Sequence, residues 1–253
     1  MLEIKDVSAC LEKKRILDNV SFSLRPHRLT ALVGRNGSGK STLLNCVNQQ
    51  IPYTGTITEG EKNLALIPPR ERAKAIAILP QTLPAPHITA REMAAFGRNP
   101  YLDFTGRLTE ADKLAVEEAL RDADALSLAD RYVDTLSGGE KQRVALAMIL
   151  AQNTPIALLD EPTAHMDLGY EAAFLDLLQK LKKERKKTFL VILHDLTQAV
   201  RYADDLIVLE GGSIVFAGSR EECLEREVLE KTFGLRRYSI PEAEGARIFF
   251  AAQ

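Results

Sequence analysis

The segment GRNGSGKS, Gly34 to Ser41, constrains this chain more than any other. It fits the pattern G-x-x-x-x-G-K-[ST] and stands between an apolar run, Leu29 to Val33, and a helix expected over Lys40 to Val47. Glycines at such a junction let the backbone curl until successive N–H groups point at phosphate oxygens. Lys40 brings a positive charge to the β- and γ-phosphates, Ser41 offers a hydroxyl to Mg2+, and the helix N-terminus adds its partial positive charge. Gly34, Arg35, Asn36, Gly37, Ser38, Gly39, Lys40, Ser41 and Thr42 are therefore read as a nucleoside triphosphate site.

The surrounding pattern is α/β. Val20, Phe22 and Leu24 alternate with Ser21 and Ser23, the period of a half-buried antiparallel strand near the N-terminus. Gly55 to Thr58 and Lys74 to Leu79 are further strand candidates. Parallel-strand runs at Ile156–Asp160, Thr188–Leu193 and Leu206–Leu209 alternate with helices expected over Asp167–Leu181 and Leu196–Tyr202, the rhythm of a parallel sheet. Gly211-Gly212 is a hairpin turn into Ser213 to Phe216. Between Thr89 and Leu150 the texture turns to Ala, Glu, Asp and Leu, with Thr109 as a helix cap and Ala111, Ala115, Ala119 and Ala123 as an apolar stripe flanked by Val116, Leu120 and Leu126. Residues 1–88 and 151–219 then form a nucleotide-binding core, 89–150 an inserted helical lobe and 220–253 a short C-terminal extension.

Further chemistry gathers at strand ends, where ligands of open parallel sheets sit. IALLDEP places Asp160 and Glu161 there: Asp160 can hold Mg2+ through its water shell, and Glu161 can take a proton from an attacking water. His194, closing the run Thr188–Leu193, is placed to contact a γ-phosphate or orient the water. Gln81, after the Lys74–Leu79 run, can reach the metal or the water from another side.

A second glycine pair, in TLSGGEKQR, has no lysine. Ser137 and Glu140 form a capping box for a helix expected over Glu140–Leu150, yet a cap does not need Gly138 and Gly139. Two glycines at a helix N-terminus admit an anion close to the backbone. The simplest arrangement is a two-fold dimer in which each such loop completes the nucleotide site built around the partner's lysine.

Bulk properties narrow the partners. A net charge of -2 argues against a dedicated nucleic-acid binder. No apolar run reaches the ~18 residues needed to span a bilayer, and MLEIKDV lacks the regions of a signal peptide, so a cytoplasmic location is expected. Cys10, Cys46 and Cys223 fit neither a disulfide framework nor a zinc site, and His87 and His165 lack partners at ligand spacing. Met93 and Met148 are expected in the core, and Lys182–Lys187 as a solvated, cationic helix end.

Taken together, Gly34–Ser41, Gln81, Leu136–Glu140, Asp160-Glu161 and His194, in this order, resemble the nucleotide-binding subunit of ATP-binding-cassette transporters. The resemblance covers essentially the whole chain. It implies a P-loop NTPase core with a mixed central sheet, an antiparallel N-terminal β subdomain and a helical signature lobe. It also implies ATP and Mg2+, a head-to-tail homodimer, Asp167 at the dimer interface, and integral membrane permease subunits reached through the Gln81 loop and the lobe. The segments Pro68–Gln81 and Ala94–Asp112 look like importer ATPases for iron-siderophores, haem and cobalamin, with zinc-type importers also open. These work with a periplasmic or extracellular binding protein, on the inner face of the cell membrane. A soluble cassette, such as one for iron–sulfur assembly, is the alternative. The chain departs from the family in two places: Leu11 stands where an aromatic usually stacks on adenine, and Ala164-His165-Met166-Asp167 replaces S-x-L-D.

Overall fold

The computed structural model describes every residue except His165, Ala243, Glu244 and Gln253; the side chains of Leu168, Glu242, Gly245 and Ala246 are likewise outside the description. The chain divides into two compact units, Met1–Leu66 with Thr188–Gln253, and Ile67–Lys187.

In the first unit β1 (Leu2–Leu11) and β2 (Lys14–Ser23) form a hairpin, and β1 also pairs antiparallel with β4 (Tyr53–Glu59), which carries the short β5 (Lys62–Asn63). Val20 and Phe22 are buried and Ser21 and Ser23 exposed, as their alternation requires. Between β2 and β4 come β3 (Leu29–Val33) and α1 (Lys40–Val47). The remainder of the unit is β8 (Thr188–Ile192), α7 (Leu196–Tyr202), β9 (Asp205–Glu210) and β10 (Ser213–Ser219), followed by α8 (Arg220–Glu225), α9 (Val228–Phe233), β11 (Leu235–Glu242) and β12 (Gly245–Ala252). β3 runs parallel to both β8 and β9, and β10 closes antiparallel on β9 through Gly211-Gly212. All five residues of β3 and of β8 are buried, which is why their sequences are apolar but for Thr30 and Thr188. The C-terminal segment is a helix pair and a hairpin, with β12 beside α7.

The second unit holds α2 (Pro69–Ala75), β6 (Ile76–Leu79), α3 (Ala90–Ala95), α4 (Glu110–Asp122), α5 (Gly138–Ala151), β7 (Ile156–Leu159) and α6 (Leu168–Arg185), with β6 parallel to β7. Lys74 and Ala75 belong to a helix, not to the expected strand, because Pro69 at the first helical position starts a turn that runs through Ala75. In α4 and just after it, Ala119, Ala123, Val116 and Leu120 are buried as expected, whereas Ala111 and Leu126 are exposed and Asp112 joins the buried face. Met93 is buried as expected, whereas Met148 is only half-buried.

Asp112 replaces an alanine on that face because Arg98 meets it there. Arg98 Nε donates to Asp112 Oδ1 at 2.9 Å and its Nη1 to the Ala151 carbonyl at 2.8 Å, while the guanidinium lies 3.9 Å from the Tyr101 ring centre. Both side chains of the ion pair are about one-tenth exposed, at 11% and 8%. The preceding residue must be glycine, since a Cβ on Gly97 would stand 2.1 Å from the Met148 carbonyl oxygen. FGRNPY is thus the residue set that ties α4 to the C-terminal end of α5. Removing one partner of a buried pair costs about 3–5 kcal/mol. Arg98→Ala is accordingly expected to lose stability of that order in denaturant unfolding, with α5 signals released first. A loss below about 1 kcal/mol would mean the pair is effectively solvated.

The same carboxylate is the third residue of the Thr109 capping box, accepting from the Thr109 hydroxyl at 2.6 Å. That bond chiefly, with the Thr109 N–H and Arg98, holds Asp112 below the usual carboxylate range against the opposing effect of burial. A depressed folded-state value contributes stability that is present above the unfolded value, near ~3.9, and is lost as pH falls through the folded one. Acid titration of stability is therefore expected to steepen below about pH 4 in the native chain and to flatten there in Asp112→Asn.

Candidate nucleotide site

Gly34 to Ser41 connects β3 to α1, as the sequence requires. Two of its glycines have left-handed backbones, Gly37 at φ 77° and Gly39 at φ 106°. A Cβ on Gly34 would lie 2.3 Å from the Leu209 carbonyl oxygen, so the loop can pass β9 only without a side chain. Lys40 is folded back over this loop: its Nζ donates to the Gly34 carbonyl at 2.8 Å and to that of Arg35 at 3.2 Å. The ammonium is nearly buried, and the first turn of α1 carries no acidic residue to oppose an anion. Ser38 Oγ is buried with no hydrogen-bond partner among the described residues, a polar atom turned into the loop. A cradle of backbone, one buried cation and an unsatisfied hydroxyl fits a polyphosphate.

His194 follows β8 and is exposed. Its neighbour Asp195, passed over in the sequence, caps α7 by accepting from the N–H groups of Thr197 and Gln198 at 2.7 and 3.2 Å. A capping residue just before an amphipathic run was the available signal. Leu11 ends β1 and is 40% exposed.

In the second unit Gln81 and Glu161 are brought together. The parallel pairing of β6 and β7 sets Leu79 beside Leu159, and the Asp160 N–H donates to the Leu79 carbonyl at 2.9 Å. Gln81 Nε2 then donates to Glu161 Oε2 at 2.7 Å. Glu161 has φ 50°, a left-handed backbone that a glutamate rarely adopts, whereas Asp160 before it is buried. The Gln81–Glu161 bond uses the amide N–H and leaves the amide oxygen as a hard donor. That amide oxygen and the buried Asp160 carboxylate are hard oxygen donors of the kind Mg2+ takes. Among the described residues no three His, Cys, Asp or Glu side chains cluster as a metal cage.

The TLSGGEKQR segment starts α5 two residues earlier than expected, with Gly138 and Gly139 inside its first turn. The capping box is present: Ser137 Oγ accepts from the Glu140 N–H at 3.3 Å and Glu140 Oε2 accepts from the Ser137 N–H at 2.8 Å. Arg131, another residue missed, pairs with Glu140 at 2.8 Å. The two glycines separate physically. A Cβ on Gly139 would stand 2.9 Å from the Tyr170 ring, a packing reason internal to the chain, whereas a Cβ on Gly138 would meet nothing within 4 Å. Asp167 is occupied locally, capping α6 through the N–H groups of Gly169 and Tyr170 at 3.1 and 3.0 Å; His165, beside it, lies outside the described residues.

The family profile for ABC transporters matches residues 17–164. The chain belongs to the ABC transporter family. It carries the ATP-binding domain of that family and is an ATPase. It is 38% identical over 226 residues to the ferric enterobactin transport ATP-binding protein FepC of Escherichia coli, covering 88% of this chain and 83% of that one. Similarity is comparable to the iron(3+)-hydroxamate import ATP-binding protein FhuC of Bacillus subtilis, at 36%, covering 86% of this chain and 82% of the relative. It is 40% identical to the hemin import ATP-binding protein HmuV of Rhodococcus jostii, covering 87% of this chain and 75% of the relative. Among solved structures, a nucleotide-free ATP-binding cassette from an ABC transporter superposes with a TM-score of 0.83 at 26% identity, covering 92% of this chain and 97% of that one. A chain of an inward-facing ABC transporter matches with a TM-score of 0.86 over all of this chain and 96% of its own; at 23% identity it supports the fold alone. The ABC ATPase fold, with its antiparallel N-terminal sheet, is thus the one expected from the sequence. Among the described residues no helix is long and apolar enough to cross a membrane.

Proposed function

We propose that this chain is the ATP-hydrolysing subunit of an importer for an iron-siderophore, haem, cobalamin or related metal chelate. The observation that carries this reading is that relatives over four-fifths of the chain are ATP-binding proteins for enterobactin, hydroxamate and hemin transport. In it the chain works as a head-to-tail homodimer on the inner face of the cell membrane, attached to integral permease subunits. A periplasmic or extracellular binding protein delivers cargo to those permeases. Nucleic acid has no part.

The chemistry follows from the residues. Lys40 and the N–H groups of Gly34–Thr42 bind and orient the triphosphate of ATP. Ser41, Asp160 and the Gln81 amide oxygen would hold Mg2+, which neutralises charge on the β- and γ-phosphates when bound. Glu161, held by Gln81, takes a proton from the attacking water, and His194 donates to the γ-phosphate. The partner chain's Ser137, Gly138 and Gly139, with its Glu140 completing the cap, close over the same phosphate. Asp167 links the two sites across the interface.

Purification from native membranes tests the assignment: integral membrane proteins are expected to accompany the chain. Recovery only in the soluble fraction, with iron–sulfur assembly proteins, would support the soluble alternative. Uptake of labelled ferric siderophore, haem and cobalamin by cells lacking the chain would then select the cargo. A half-exposed Leu11 offers apolar contact without a π-face, so discrimination of ATP over GTP is expected to be within about tenfold in competition binding. A preference above a hundredfold would point to an adenine contact elsewhere.

A further inference from the structure

The cationic run Lys182–Lys187 is not a solvated helix end throughout. Arg185 reaches back to α4, pairing with Glu118 at 2.7 Å and Asp122 at 2.8 Å, so its charge is met by two carboxylates. Lys187 lies deeper. Its Nζ donates to the Thr154 carbonyl at 2.5 Å, and no carboxylate stands within ion-pairing distance among the described residues. Burial, and then the nearby Arg185, push this ammonium down to about 8, with the Asp122 carboxylate opposing them. A half-buried cation whose hydrogen bond goes to a neutral carbonyl, with the nearest carboxylate, Asp122, taken by Arg185, is expensive unless a further anion reaches it.

A cleft of about 480 Å3 reaches it. Its lining combines Ala119, Leu150 and Pro155 with Asn153, Lys187 and the Arg185 cluster, in which Glu118 and Asp122 are held by the guanidinium. That volume and mixture suit a small organic molecule rather than a macromolecule. The cleft borders Thr154 and Pro155, immediately before β7, while Asp160 and Glu161 follow the other end of that strand. It is therefore separate from the carboxylates of the hydrolytic machinery by the length of a four-residue strand.

We propose that this cleft is a binding site for a small organic carboxylate, whose anionic head pairs with Lys187 and whose apolar body lies on Ala119, Leu150 and Pro155. An organic carboxylate fits better than a bare inorganic anion because Ala115, Ala119, Leu150, Ala151 and Pro155 give the cleft an apolar side. Occupancy would brace α4 and α6 at the foot of β7.

Benzoate is a suitable probe, with benzamide and inorganic phosphate as controls. Calorimetric titration of the full chain is expected to show benzoate binding, no benzamide binding and at most weak phosphate binding. Lys187→Met should weaken benzoate by about tenfold or more, and Lys187→Arg should retain it within about threefold. Should Lys187→Met fail to fold, lysine footprinting of the unmodified protein gives the answer. Reductive methylation read by mass spectrometry should label Lys187 at neutral pH, and benzoate should protect it selectively. The proposal is overturned if benzoate fails to bind, if phosphate binds as well as benzoate, if Lys187→Met binds unchanged, or if benzoate leaves the Lys187 labelling rate unaltered.

Discussion

Glu161→Gln is expected to bind ATP normally, accumulate as an ATP-bound dimer and hydrolyse about 10²–10⁴-fold more slowly than the native chain. The amide is nearly isosteric with the carboxylate and can still accept the Gln81 N–H through its carbonyl, so the 2.7 Å contact survives. What disappears is the ability to take a proton from water. Because the left-handed backbone at Glu161 is indifferent to the exchange of one oxygen for nitrogen, folding stability should be unchanged. Single-turnover hydrolysis and sizing chromatography with ATP separate the two effects. Turnover within twofold of the native value would remove Glu161 as general base and return attention to His194.

Gly138→Leu is expected to leave ATP binding by the isolated chain intact while abolishing ATP-dependent dimerisation and steady-state hydrolysis. The two glycines of TLSGGEKQR are not equivalent tests. Gly139 is required by the Tyr170 ring, so a substitution there disturbs the chain's own packing. Gly138 has open space where its Cβ would be and occupies the first turn of α5, so leucine should fold there as well as glycine or slightly better. Any loss must then come from something that approaches in the dimer. If Gly138→Leu instead abolishes ATP binding by the monomer, the loop serves its own chain's nucleotide and the paired arrangement is wrong.

Much of the site was legible because its pieces are local. The phosphate loop needs a strand, glycines, a lysine and a helix within a dozen residues, and Leu29–Val33 and Lys40–Val47 fell where expected. Ser137 and Glu140 announced their cap by spacing alone. What escaped were pairings between distant segments. Nothing local tells that Asp112 faces inward to Arg98, that Arg185 and Lys187 turn toward α4 and Thr154, or that Gly139 makes room for Tyr170. Lys74–Leu79 misled for a different reason: its apolar end is a strand, but Lys74 and Ala75 complete the helix that Pro69 starts.

With Glu161 in its proposed role, its left-handed backbone sets folding and turnover against each other. Strain of this kind is worth roughly 1–3 kcal/mol, and glycine would relieve it at once. A population of variants selected for heat resistance alone should therefore drift toward Glu161→Gly, becoming sturdier and inert together. Enrichment under the two regimes, thermal challenge with and without a demand for ATP turnover, would show the glutamate retained only where hydrolysis is required.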